Sequence, residues 1–172
     1  MTGARIEITV DDATVQGALA HAQAALAPQG LVPLLEDIGE YLVRSTRERA
    51  ERVVSPDGVP WDALTPRYAA RKAKKYPGAK ILHRDFHLLG DQLAAQVDDD
   101  TLRVGTNAVY GAIHQFGGTI HHGSYQRIRD RRHFDARDVA IPARPWLGVS
   151  AEDADEIHAI TLDYLRRAVG GE

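Results

Sequence analysis

The sequence predicts an α+β fold. An antiparallel sheet containing a hairpin is packed by one long helix and a C-terminal helix, with short connector helices between them. Three observations lead there. Apolar residues recur at helical spacing over residues 32–54 and again after Ser150. Apolar and polar residues alternate in "RIEITV" and on both sides of Asp98–Asp100. These helical and strand-like runs are mixed without the strand–helix–strand order of a parallel sheet.

Each element has a local reason. In residues 5–10, Ile6, Ile8 and Val10 alternate with polar residues, the period of a half-buried strand. Asp11 and Asp12 can cap the alanine-rich helix that follows, which "PQG" should stop near Ala27. The long helix of residues 32–54 carries Leu35, Ile38, Leu42, Ala50 and Val53 near one face, and opposite charges four apart on the other, until "SPDG" ends it. Thr65 and Pro66 open a short basic helix, since proline at the first helical position loses no hydrogen bond. "ILHRDFHLLG" reads as a connector with helical character. Leu93, Ala95 and Val97, then Leu102 and Val104, form a hairpin around three aspartates. At the end, Ser150 and Asp153 have the spacing of a capping box, with Ile157, Ile160, Tyr164, Leu165 and Ala168 facing inward.

Composition bounds the function. With 172 residues, 44% hydrophobic and 26% charged, one soluble domain is expected. No run approaches the roughly 20 apolar residues of a membrane span, so no membrane partner is expected. The first ten residues lack the basic start and apolar run of a signal peptide. Cysteine is absent, which excludes disulfides, thiolate metal sites and cysteine nucleophiles. The net charge of −3 argues against bulk nucleic-acid binding, but it is unevenly spread. Residues 63–84 hold seven bases and no acid, and residues 145–172 hold six acids against two bases. Such segregation suits contact with an oppositely charged partner, including another copy of the chain.

Catalytic chemistry finds no support. "FGGT" lacks the spacing and the lysine of a phosphate loop, and "GVSA" lacks the second glycine of a nucleophile elbow. His83 and His87 are four apart, as a helical zinc site needs. Arg84, however, stands where a zinc protease places its glutamate base. No catalytic residue, metal ligand or cofactor is expected. In "NAVYGAIHQF", Val109, Ile113 and Phe116 fall on one side of a short helix. Gly117 can end it in the left-handed conformation, and Gly118 lets the chain reverse into the strand-like "TIHH". His114 and Gln115 are then hydrogen-bonded or at a subunit contact. Trp61 and Trp146, each following a proline, are expected to anchor the fold or an interface.

The order of "YGAIHQFGGTI", an arginine-rich polar insertion, "IPARPWLG" and a capped last helix resembles the phage virion morphogenesis (tail completion) family, that of protein G of Mu-like phages. "WDALTPRYAARKAKK" and "ILHRDFHLLG" resemble its upstream segments. The resemblance runs from about Leu34 to Ala168, and residues 1–30, a strand–helix arm, match less well. It implies a non-enzymatic virion protein of the phage neck, made in the host cytoplasm. Its copies would join head and tail as a tail terminator ring, a hexamer rather than a dodecamer, meeting neck and tail tube proteins and DNA in the lumen. A head-side stopper or adaptor is the alternative within that class. A DNA-binding accessory protein using residues 63–84 is the alternative outside it. The loop of residues 123–138 is then expected to be mobile in the free subunit and to order on docking, with Arg127, Arg129, Arg131 and Arg132 as its contacts.

Overall fold

The computed structural model describes residues 12–83, 87–129 and 131–170. Helix α1 (Ala13–Ala25) is followed by the long α2 (Pro28–Arg52) and the basic α3 (Pro66–Lys75). A single π-helical turn (His87–Asp91) leads into the hairpin β1 (Leu93–Asp98) and β2 (Thr101–Thr106). After α4 (Gly111–Phe116) come β3 (Gly118–His122), β4 (Tyr125–Gln126), β5 (His133–Phe134) and β6 (Arg137–Ile141), and α5 (Ala151–Gly170) closes the chain. The fold is α+β. Among the described residues all strand pairs are antiparallel, as three two-stranded pairs: β1–β2, β3–β6 and β4–β5. The strand expected in residues 5–10 lies outside the described residues, as do Asp11 and residues 84–86 of the connector.

Two helix starts differ from expectation. α1 stops at Ala25, close to the expected end, but α2 begins at Pro28, with Pro33 inside it, so "PQG" itself opens the long helix expected from residue 32. The corner between α1 and α2 is tight, because a Cβ on Gly30 would lie 2.2 Å from the Ala24 carbonyl oxygen. The Tyr164 hydroxyl of α5 donates to the Ala25 carbonyl at 3.3 Å and to that of Gly30, tying this corner to the last helix. Asp12 stands at the start of α1, but its carboxylate accepts from Gln16 Nε2 at 2.7 Å and caps no backbone amide. Thr65 precedes α3 without a side-chain cap, and Pro66 is the first helical residue. α2 ends at Val53, which takes the left-handed conformation with φ 61°, ahead of the "SPDG" turn.

The core gathers Ala50, Trp61, Leu88, Leu89, Leu93 and Trp146. The buried stripe of α2 is more polar than its apolar periodicity implies, since Thr46 and Arg49 are buried beside Leu34, Ile38 and Ala50. Gly39 lets the hairpin approach: a Cβ there would sit 2.8 Å from the Ala95 Cβ and 3.0 Å from Leu102 Cδ1. α5 packs on α1 and α2, and its start is the expected capping box. The Ser150 amide donates to Asp153 Oδ2 at 2.8 Å, and the Asp153 amide donates to Ser150 Oγ at 3.1 Å. Among the described residues, no helix is long and apolar enough to cross a membrane.

Candidate functional site

The two segments singled out in the sequence, "YGAIHQFGGTI" and "IPARPWLG", are clamped together. The Arg144 amide donates to the His114 carbonyl at 2.7 Å. Gln115 Oε1 accepts from the amides of Trp146 (2.9 Å) and Leu147 (3.0 Å), and Gln115 Nε2 donates to the Leu147 carbonyl at 2.8 Å. One side-chain amide therefore satisfies three backbone groups of an extended segment that has no strand partner. Gln115 is turned inward, and Trp146 beside it is buried, its Nε1 donating to the Gly111 carbonyl at 3.2 Å. Gly111 is itself buried, with no room for a side chain: a Cβ would lie 2.6 Å from Thr106 Cγ2.

The other side of "IPARPWLG" is held by the segment after α2. Buried Trp61 donates from Nε1 to the Pro145 carbonyl at 2.8 Å. Buried Arg144 donates from Nε to the Asp62 carbonyl at 2.9 Å and from Nη2 to that of Ala63 at 3.3 Å. Both tryptophans thus join chain segments more than thirty residues apart. α4 itself is shorter than "NAVYGAIHQF": Val109 precedes it at 96% exposure and Phe116 is 79% exposed, so neither joins the core.

Gly117 is the pivot from this clamp into the strands beyond. Its φ is +72°, and a Cβ would lie 2.8 Å from the Ala143 nitrogen and 3.0 Å from the Ile141 oxygen. Gly118, with φ +148°, starts β3. From there the chain leaves the core as an exposed ribbon. β3 pairs with β6 from Gly118 opposite Ile141 to His122 opposite Arg137. Farther out, Tyr125 pairs with Phe134 and Gln126 with His133. The Tyr125 and Phe134 rings stack with centroids 4.9 Å apart, and the Arg127 guanidinium lies 5.0 Å over Phe134. The Arg127 amide donates to the Arg132 carbonyl at 2.9 Å. Within the insertion of residues 123–138, expected as a loop, the described residues therefore continue the β3–β6 ribbon as an arm. Arg127, Arg129, Arg131 and Arg132 are exposed at its tip. Two-residue strands in polar sequence are too short to show a period, which is why pattern alone reads them as loop.

At the base of the arm lies a groove of about 600 Å³ between α3 and β6. Arg71, Lys72, Arg137 and Arg144 line it over an apolar floor that includes Ile81 and Ile141, and no acid does. Lys72 is buried with its ammonium on the Lys80 carbonyl, and burial pushes that ammonium below its ordinary pKa. His114 also lines the groove. Burial, with Arg144 nearby, holds its imidazole below the ordinary histidine range, and its Nδ1 has no hydrogen-bond partner among the described residues.

The remaining histidines do not converge. His83 is buried with Nε2 3.3 Å from Glu51 Oε1, whereas His87 is exposed beside Asp91. His121 Nδ1 lies 2.7 Å from Asp138 Oδ1 on the ribbon. Among the described residues no three His, Asp or Glu side chains are grouped to hold a metal. What the region offers is a hydrogen-bonded clamp, an arginine-tipped arm and a basic groove at its base.

Comparison with known proteins agrees with the sequence motifs. The chain is 30% identical over 133 residues to the Mu-like prophage FluMu G protein 2 of Haemophilus influenzae, covering 74% of this chain and 86% of that protein. It is 25% identical over 147 residues to tail completion protein S of Escherichia phage P2, covering 83% and 89%. It is 29% identical over 132 residues to the putative capsid assembly protein G of Escherichia phage Mu, covering 74% and 72%. No solved structure matches it. The model of the phage virion morphogenesis family matches residues 10–166, reaching well into the N-terminal region where the motifs are weakest, and the chain belongs to that family.

Proposed function

We propose that the chain is a structural tail completion subunit of the phage neck, which closes as a ring of identical copies where head and tail join. A hexamer suits a six-fold tail tube and is preferred to a dodecamer. The observation that supports this most is the arm: an exposed, arginine-tipped ribbon on a base in which Gly117 and Gln115 leave little freedom. Such an arm reaches a neighbour without disturbing its own core. Relatives named for tail completion and capsid assembly support the same setting. The arginines would meet acidic surfaces of neck or tail tube proteins, or DNA in the lumen. The subunit's work in this reading is binding, with no reaction catalysed.

The test is electron microscopy of phage necks carrying a tagged copy of the chain. A ring of tagged density between head and tail, with six-fold symmetry, is the expected result. Tagged density absent from the neck, or present as single copies off the axis, would overturn the reading.

A further inference from the structure

The basic groove at the base of the arm has a counterpart of opposite sign. A second groove of about 600 Å³ runs between α2 and the β1–β2 hairpin, lined by Glu36, Glu40 and Asp99 over Val32, Val43 and Val97. No base lines it. Each groove therefore combines an apolar floor with charge of a single sign.

Among the described residues no ion pair within the copy compensates these charges, although the Arg71 guanidinium lies 5.1 Å over the Tyr68 ring. Arg71, Lys72, Arg137 and Arg144 have no carboxylate within 4.0 Å among the described residues, and Glu36, Glu40 and Asp99 have no cation there. Lys72 and Arg144 are buried with carbonyl oxygens alone as partners. Buried cations usually find a carboxylate. Asp62 of the same copy acts on Arg144 through space, but it makes no ion pair with it, and no acid lines the groove.

From this complementarity we infer that successive copies meet by setting the acidic groove of one copy, at Glu36, Glu40 and Asp99, against the basic groove of the next, at Arg71 and Arg137. The inference rests on the ring reading above and names the surfaces that meet in it. The sign pattern decides the symmetry of the contact. A two-fold contact across either groove would put like charges face to face, which disfavours it. Two different patches meeting head to tail generate a ring when the rotation closes. The acidic partner of the basic middle is then the α2–hairpin face, although the C-terminal helix holds more acids in sequence.

Five exposed side chains carry the test, so the subunit core is left alone. R71E/R137E makes the basic groove acidic, and E36K/E40K/D99K makes the acidic groove basic. Association of each is measured by sedimentation velocity across concentration and salt, with melting temperature alongside. Wild-type protein should associate with concentration and dissociate with salt. Each variant alone should associate roughly 100-fold more weakly or not at all, since like charges then meet at every contact. An equal mixture should reassemble, because one variant's basic groove meets the other's acidic face and the two reversed faces attract each other. If either variant melts early, R71Q/R137Q and E36Q/E40Q/D99N replace the reversed sets, and each should associate more weakly than wild type.

Wild-type association with either variant unimpaired overturns the groove contact and leaves the ring standing. Impaired variants that fail to reassemble when mixed also overturn it, since no complementary pair was then restored. Wild-type protein that stays monomeric at every concentration and in isolated necks overturns the ring and the groove contact together.

Discussion

Arg49 and Asp153, from α2 and α5, form a buried ion pair 104 residues apart in sequence. Asp153 is 0% exposed and serves two helices at once. Its Oδ2 accepts from the Ser150 amide and from Arg49 Nη1, while Oδ1 accepts from the hydroxyls of Ser45 and, at 3.1 Å, Tyr41. Arg49 is equally committed, donating from Nη2 to the Gly148 carbonyl at 2.7 Å and to Thr46 Oγ1 at 3.2 Å. A residue that caps its own helix thus fixes the angle at which that helix meets α2. The turn after "IPARPWL" is held in the same network.

The first prediction follows from leaving one partner behind. Arg49→Met removes the cation and strands the Asp153 carboxylate in the interior. Breaking a buried pair from one side costs about 3–5 kcal/mol. Urea unfolding should show a loss of that size. A loss below about 1 kcal/mol would show that water reaches Asp153 and that the pair is incidental to the joint between α2 and α5.

Acid should weaken the same joint. Burial alone would raise the Asp153 carboxyl, but the Ser150 amide, the Ser45 hydroxyl and the Arg49 charge outweigh it and hold the group below the ordinary aspartate value. A depressed folded-state pKa contributes stability that is fully present above the unfolded value, and that is lost as pH falls through the folded value. The ordinary value is 3.8, so the loss belongs below it. Asp153→Asn cannot ionise and should lack this component. The stability gap between wild type and Asp153→Asn should be constant from neutral pH to about 5 and narrow below about 4. A gap independent of pH down to 2 would remove Asp153 as its source.

What was legible in the sequence divides by range. The Ser150–Asp153 box and the turn at Gly117 lie within a few residues, so spacing alone shows them. The β1–β2 hairpin alternates regularly around its aspartates, and its register follows. The Arg49–Asp153 pair and the Gln115 clamp join residues over 30 to 100 positions apart, and no local period marks them. Arg49 and Thr46 read as polar helix positions because their burial depends on where α5 lands. The opposite signs of the two grooves were half visible: the basic run showed α3, whereas Glu36, Glu40 and Asp99 are scattered until α2 and the hairpin pack.

At Gly117, two separate constraints exclude a side chain. The positive φ disfavours any β-branched residue, and a Cβ would press on the Ala143 nitrogen. Gly117→Val should therefore cost more than the 1–3 kcal/mol typical of backbone strain alone. It should also tilt the ribbon away from the clamp, exposing Gln115. Hydrogen exchange of the Trp146 and Leu147 amides reports this directly. Wild-type exchange rates in a folded Gly117→Val protein would show that the pivot tolerates a side chain.

Gln115 can be tested by removing hydrogen bonds while keeping shape. Gln115→Met is close in volume but leaves the Trp146 and Leu147 amides and the Leu147 carbonyl without their partner. Each buried group left unpaired costs about 1–3 kcal/mol, and water relieves part of that at a half-buried site. A total loss of about 2–4 kcal/mol in thermal or urea unfolding is expected on that principle. Trp146→Ala sets the scale, since emptying a buried tryptophan site costs about 3–5 kcal/mol. A Gln115→Met protein as stable as wild type would mean that the segment holds its shape without the clamp.

The arm's tip separates docking from folding most sharply. Arg127, Arg129, Arg131 and Arg132 are exposed, and exposed substitutions usually change stability by less than about 0.5 kcal/mol each. Changing all four to Glu should leave the melting temperature of the subunit within a few degrees of wild type. It should also sharply reduce the joining of heads to tails, because attraction to an acidic neighbour or to DNA becomes repulsion. Complementation of a phage lacking the gene measures this, with separate heads and tails counted by electron microscopy. Arg127→Glu alone is a control, because its guanidinium also covers the Phe134 ring. Loss of joining only in the quadruple variant points to charge. Loss in Arg127→Glu alone points to the stacked tip of the ribbon. Normal infectious particles from a stable quadruple variant would show that the arm docks by its backbone and apolar residues, or does not dock.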